Sequence, residues 1–149
     1  MTNNPPKMFP TSKPQILICD DDIAFSSELI EALEAQGFAA TALLSLSAIR
    51  AAILAPSIIL LDVCMPEPDG IEILKMLGAH ERKHHFKIAM ISGWDEVMLE
   101  TAAKLCEAQN LHLLGTFRKP INVRELCEVL EAAGVHWHTP SLVAEVPGH

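Results

Sequence analysis

Asp62 stands where an apolar run, Ser57 to Leu61, stops, and it opens the stretch DVCMPEPDG. An aspartate in such a place is, by itself, most simply a turn former or helix cap, because its carboxylate satisfies nearby backbone N–H groups. The chain sets other polar groups in matching places. Asp20, Asp21 and Asp22 follow the run 15–19, Ser92 closes the run 87–92, and Lys119 comes just after the run 111–117. Singly, the acidic triplet reads as turn and cap, and a lone Ser or Lys as solvent-facing. Jointly, at four of five run ends, they could form one site. Several carboxylates in one cleft repel each other, so the cleft is partly protonated or holds a cation. Oxygen donors without a well-placed His or Cys select a hard divalent ion, and Mg²⁺ held by two carboxylates, a backbone carbonyl and waters is the natural occupant. Lys119 is left to meet an anion and Ser92 to hydrogen-bond it. That combination suits phosphoryl transfer, with Asp62 as the nucleophile that forms an acyl phosphate.

These groups meet only if the runs are parallel strands with their C-terminal ends along one edge. The pattern predicts this. QILIC (15–19) is a buried strand, and helix one runs from Ile23 to Gln36, with Phe25, Leu29 and Leu33 on one face, Asp22 as cap and Gly37 as stop. FAATAL (38–43) is a weaker strand, and 46–55 is a helix capped by Ser45 and ended before Pro56. SIILL (57–61) and KIAMIS (87–92) are continuously apolar, as strands covered on both faces are. Helix three is expected from near Gly70 to about Lys83, helix four from about Asp95 to Gln109, and a fifth strand over 111–117. The last helix runs from Asn122 to Ala133, with Asn122 and Glu125 at capping-box spacing and Gly134 as a natural stop. Five strands alternating with five helices imply an α/β fold with a parallel sheet and right-handed crossovers. In such sheets ligands bind at the C-terminal edge of the strands.

At 149 residues the chain is one domain's worth, with a lead over 1–14 that looks disordered, a domain over 15–133 and a tail or linker over 134–149. A net charge of −8 speaks against direct binding to nucleic acid, which needs clustered Lys and Arg. Cys19, Cys64, Cys106 and Cys127 are widely spaced with no C-x-x-C pair, and no leader or membrane span is evident, so reduced thiols in a cytoplasmic protein are expected.

Through ILICDDD, DVCMPEPDG, ISG and RKP, in that order, the chain resembles the receiver domains of two-component response regulators. The resemblance implies a flavodoxin-like (βα)5 fold, a doubly wound sheet of strand order 2-1-3-4-5. It makes Asp62 the phosphoacceptor and assigns Mg²⁺ to Asp21 directly, Asp20 through water, Asp62, and the backbone carbonyl of Cys64, with no ligand role for Asp22. Ser92 takes the place of the switch hydroxyl, Gly93 leaves room for the phosphoryl group, and Lys119 pairs with phosphate before a cis bond to Pro120. Function then follows as a switch that catalyses only its own phosphorylation and dephosphorylation. Its partners would be a sensor histidine kinase or phosphotransfer protein, and a downstream effector or an output domain elsewhere in a longer protein. A homodimer through helix four, strand five and helix five is a further option.

Two departures qualify the resemblance. Thr116 occupies the place of the aromatic switch residue, Phe117 is one residue late and on the opposite face of its strand, and the chain has no tyrosine. Output through Ser92, the loop at Trp94 or a dimer surface is the expectation instead. Ser92 and Lys119 also lie 27 positions apart, which suggests an extended fourth helix, and the stretch from Ile91 to Ile121 looks like receivers attached to EAL-type cyclic-di-GMP phosphodiesterase domains. His80 and His84, at i and i+4 near the expected end of helix three, have metal-binding spacing, but basic groups on a last helical turn are the simpler reading. The tail with Trp137 could dock on the domain, mediate a dimer or begin a linker. Two other readings compete. A receiver could act as a docking module without phosphorylation. A phosphatase turning over through an aspartyl phosphate would need a second acid where Cys64 stands. A dinucleotide site is disfavoured because three aspartates replace the glycine-rich turn after strand one.

Overall fold

The computed structural model of the chain describes residues 14–65, 69–93 and 95–145, with side chains up to Gly134. The expected lead (but for Pro14), Trp94 and the last four residues lie outside the described residues, as does the side chain of Trp137. The elements alternate: β1 (Gln15–Cys19), α1 (Ile23–Ala35), β2 (Ala40–Ala42), α2 (Leu46–Ala52), β3 (Ser57–Asp62), α3 (Gly70–Gly78), β4 (Phe86–Ser92), α4 (Glu96–Ala108), β5 (His112–Arg118) and α5 (Val123–Glu145). All strand pairs are parallel, in the order β2-β1-β3-β4-β5. This is the doubly wound arrangement expected.

The three central strands have both faces covered because their residues are apolar on both. Leu17, Ile59, Leu61, Ile88 and Met90 face α2, α3 and α4 through Ile49, Ile53, Ile73, Leu77, Ala102 and Cys106. Ile16, Ile18, Ile58, Leu60 and Ile91 face α1 and α5 through Leu29, Leu33, Leu126 and Leu130. Strand β2 is only three residues long and largely exposed, since Thr41 and its alanine neighbours bring little apolar surface to the sheet edge. The 27 positions between Ser92 and Lys119 are taken up by an α4 of 13 residues, the length of α1, and by a β5 with one extra residue opposite Ile88 and Ala89.

The helix starts are where the caps place them. Asp22, Ser45, Asp69 and Asp95 each accept a backbone N–H from three residues on, at 2.7–3.1 Å. The helix ends differ from expectation in three places. Helix α2 stops at Ala52 rather than running to Ala55. Helix α3 stops at Gly78, so His80 and His84 do not share a helical face. The end of α3 is crossed there by the end of α4: a Cβ on Gly78 would overlap the Gln109 side chain. The basic residues beyond it do serve helix ends, but of other helices, Lys83 donating to the Gln109 carbonyl after α4 and Arg82 to the Leu54 carbonyl after α2. His80 is held by the Arg82 N–H and by an edge contact with Phe86. Gly134, the expected stop, lies inside α5. Unlike Gly37, which ends α1 at a φ of 91°, it has no left-handed backbone, and a glycine with helical torsions weakens a helix by only about 1 kcal/mol.

Gly70 is required by close approach. A Cβ there would lie 2.8 Å from Val63 Cα and 3.3 Å from the Asp62 carbonyl oxygen, backbone that cannot turn aside. Gly70→Ala is expected to lower stability by about 1–3 kcal/mol, a fall in Tm of roughly 4–10 °C. Thermal unfolding followed by circular dichroism checks this, and an unchanged Tm would mean that α3 shifts away without cost.

Candidate functional site

The C-terminal ends of β1, β3, β4 and β5 bring the polar groups together. Asp20, Asp21 and Asp62 each offer an oxygen within 4.8 Å of the others, Asp20 and Asp62 buried and Asp21 exposed. Lys119 reaches in from the end of β5, its Nζ 2.8 Å from Asp20 Oδ2 and 3.5 Å from Asp62 Oδ2. Its backbone N–H donates to the Ser92 carbonyl at 2.9 Å, which fixes the end of β5 against β4, and the Lys119–Pro120 bond is cis as expected.

The two buried carboxylates, Asp20 and Asp62, each have one oxygen tied and one directed at Lys119. Asp20 Oδ1 accepts the Asp22 N–H at 2.9 Å, and Asp62 Oδ1 accepts the Cys64 N–H at 2.9 Å. These tight turns aim Oδ2 of both residues at the ammonium. Asp20 Oδ2, though ion-paired, is buried without a hydrogen bond of good angle. An all-oxygen donor set with such an oxygen fits a hard divalent cation better than it fits the lysine alone.

Burial raises the Asp20 pKa above the ordinary carboxylate value, and the Asp62 charge adds to this, against the opposing pull of Lys119 and the Asp22 N–H. Lys119 is pulled down by burial but ends above its usual value because Asp20 and Asp62 hold its proton. A carboxyl raised in the folded state contributes stability at pH below its unfolded pKa and loses it as pH rises through the folded one. Metal-free Asp20→Asn is therefore expected to melt above wild type at neutral pH, by a margin that shrinks on acidification. Mg²⁺ is expected to stabilise wild type by mass action and the variant much less. Melting curves with Mg²⁺ or chelator decide, and a variant melting lower at neutral pH would mean that the Lys119 pair outweighs burial.

Ser92 is buried at the end of β4, and its hydroxyl donates to the Asp95 carbonyl over a long 3.5 Å. A Cβ on Gly93 would meet nothing within 4 Å among the described residues. Cys64 is the exposed cysteine. Its thiol is raised by burial and by Asp62, while burial pushes Cys19 up to about 12 and Cys106 to about 11. Thr116 is exposed and registers with Met90 on the α4 side, whereas Phe117 registers with Ile91 and packs on the α1–α5 side. The aromatic is therefore absent from the α4 face of β5.

One neighbour of the site carried no signal in the sequence beyond its place in the first turn of α1. Phe25 reads there as a member of the apolar stripe, yet the Lys119 Nζ sits 4.3 Å from its ring centroid.

The model of the response regulator receiver domain family matches residues 16–131. The chain is 31% identical over 125 residues to the transcriptional regulatory protein FixJ of Bradyrhizobium diazoefficiens, covering 83% of this chain and 58% of that protein. It is 26% identical over 121 residues to the photosynthetic apparatus regulatory protein RegA of Rhodobacter capsulatus, covering 80% and 62%. The chain thus spans about three fifths of the length of these curated relatives. Among solved structures it is similar to a response regulator from Colwellia psychrerythraea, with a TM-score of 0.69, 31% identity, and coverage of 84% of this chain and 99% of that one. A CheY-like receiver domain protein from Methanospirillum hungatei shares the fold, with a TM-score of 0.66, 23% identity, and coverage of 84% and 96%.

Proposed function

The chain belongs to the response regulator receiver family, and from this we propose that it is a phosphorylation-dependent switch whose phosphoacceptor is Asp62. The observation that carries the assignment is the convergence of Asp62 Oδ2, Asp20 Oδ2 and the Lys119 ammonium at the strand ends. Asp62 attacks phosphorus, a P–O bond forms to its carboxylate, and the P–N bond of a phosphohistidine donor breaks with the imidazole as leaving group. Lys119 then moves its charge from carboxylate to phosphoryl oxygen. Mg²⁺, held by Asp21, Asp62, the Cys64 carbonyl and, through water, Asp20, would neutralise the remaining phosphoryl charge. Ser92 leaves the Asp95 carbonyl and hydrogen-bonds the phosphoryl group, which couples the site to the start of α4. A population shift of about 1–3 kcal/mol in that coupling changes partner affinity five- to 150-fold. The donor is a histidine kinase or phosphotransfer protein, and the reader is an effector protein or a further domain. Among the described residues no helix is long and apolar enough to cross a membrane.

The test is to incubate the protein with a small-molecule phosphodonor, with Mg²⁺ or with chelator, and to record the intact mass. A gain of one phosphoryl group that needs Mg²⁺, with borohydride converting residue 62 to homoserine, supports the reading. No gain would leave a docking module independent of phosphorylation. Sustained phosphate release from a model ester would instead indicate a phosphatase.

A further inference from the structure

Among the described residues, two carboxylates and one aromatic ring lie beside the Lys119 ammonium, and the carboxylates are accounted for. The Asp20 and Asp62 carboxylates lie 2.8 and 3.5 Å from the ammonium, and the centroid of the Phe25 ring lies 4.3 Å away. Phe25 is only half-buried. Its ring packs beside the buried stripe of α1, and a neighbouring open hollow of about 310 Å³ is lined by Leu29, Pro120 and Ile121 as well. An apolar core contact alone would be met as well by leucine, the residue at the next two positions of that stripe, Leu29 and Leu33.

We propose that Phe25 is a positioning residue for phosphoryl transfer: its ring face holds the Lys119 ammonium against Asp62 and keeps water from it. This rests on the reading of Asp62 and Lys119 above. The negative face of an aromatic ring attracts an ammonium, more strongly when water is excluded, and leucine has no such face. The ring also removes conformations. A lysine stem rotates freely when its head is hydrated, whereas Lys119 is confined between two carboxylates and a ring, so its charge is in place before the phosphoryl group arrives. Preorganised charge of this kind lowers the barrier without reorganisation during the reaction.

The experiment compares wild type, Phe25→Leu and Phe25→Tyr. The rate of uptake from acetyl phosphate is followed by intact mass at saturating Mg²⁺, and Mg²⁺ affinity is measured separately by calorimetry. Phe25→Leu is expected to slow uptake about tenfold, or about 1.4 kcal/mol, with Mg²⁺ affinity unchanged, while Phe25→Tyr, which keeps the ring face, stays within about twofold of wild type. NMR gives a readout that packing alone would not move. The ε-methylene protons of Lys119 should be shifted upfield by the ring in wild type and Phe25→Tyr, and should return to ordinary values in Phe25→Leu. Wild-type rates in Phe25→Leu, or an equal loss in Phe25→Tyr, would overturn the proposal. If wild type takes up no phosphoryl group at all, the phosphoacceptor reading fails instead, and the methylene shifts still decide whether Phe25 positions Lys119.

Discussion

Asp62→Asn is expected to take up no phosphoryl group, under conditions expected to label the wild-type chain stoichiometrically, and to keep its fold. The amide is nearly isosteric with the carboxylate, and its oxygen can still accept the Cys64 N–H that orders the turn after β3. What is lost is the anionic nucleophile, for an amide oxygen does not form a stable phosphoryl ester. The variant also removes one of three crowded carboxylates. Its charge otherwise adds to the burial that raises Asp20, so Asp62→Asn should not melt below wild type without metal. Intact mass and a melting curve on the same sample test both halves. Stoichiometric labelling of the variant would place the phosphoacceptor elsewhere, and a lost melting transition would leave the chemical result without meaning.

Lys119→Ala is expected to slow uptake about hundredfold or more, because removing one preorganised donor from a site of developing negative charge costs about 10²–10³ in rate. It has a second effect of different origin. Asp20 and Asp62 are nearly fully buried, and without the ammonium 2.8 and 3.5 Å away they are left as uncompensated like charges. Metal-free Lys119→Ala should therefore melt lower than wild type, and Mg²⁺ should recover much of the loss. The double variant Lys119→Ala/Asp20→Asn separates the effects, because it relieves the repulsion and should melt higher than Lys119→Ala without regaining the rate. A double variant that recovers both would mean that the lysine acts only by supporting the fold.

The helix starts and the strands were legible because each is written in a local pattern. Four of the caps are Asp or Ser three residues before the N–H they accept, and the central strands are apolar without interruption because both faces are covered. The helix ends were less so. Gly78, Gly134 and the basic run after α3 look alike as breakers, but what α3 meets is Gln109 from the far end of α4, a contact 31 positions away that no local window contains. The candidate site residues were legible as a set of strand ends, and the opposite faces of Thr116 and Phe117 followed from the alternation of a strand.

The sequence by itself determined which chemistry the chain could carry, since residue type fixes charge, nucleophilicity and donor set: three carboxylates, an ammonium and a hydroxyl, each closing an apolar run. Only the tertiary structure decided how they are held. It put Lys119 between two carboxylates 57 and 99 positions away, turned the Ser92 hydroxyl to the Asp95 carbonyl, and laid the Phe25 ring against the ammonium. The reason is physical. A strand end can be read from its own residues, but the direction of a side chain at that end is set by the neighbours that the sheet brings beside it, and those neighbours are local in space and remote in sequence.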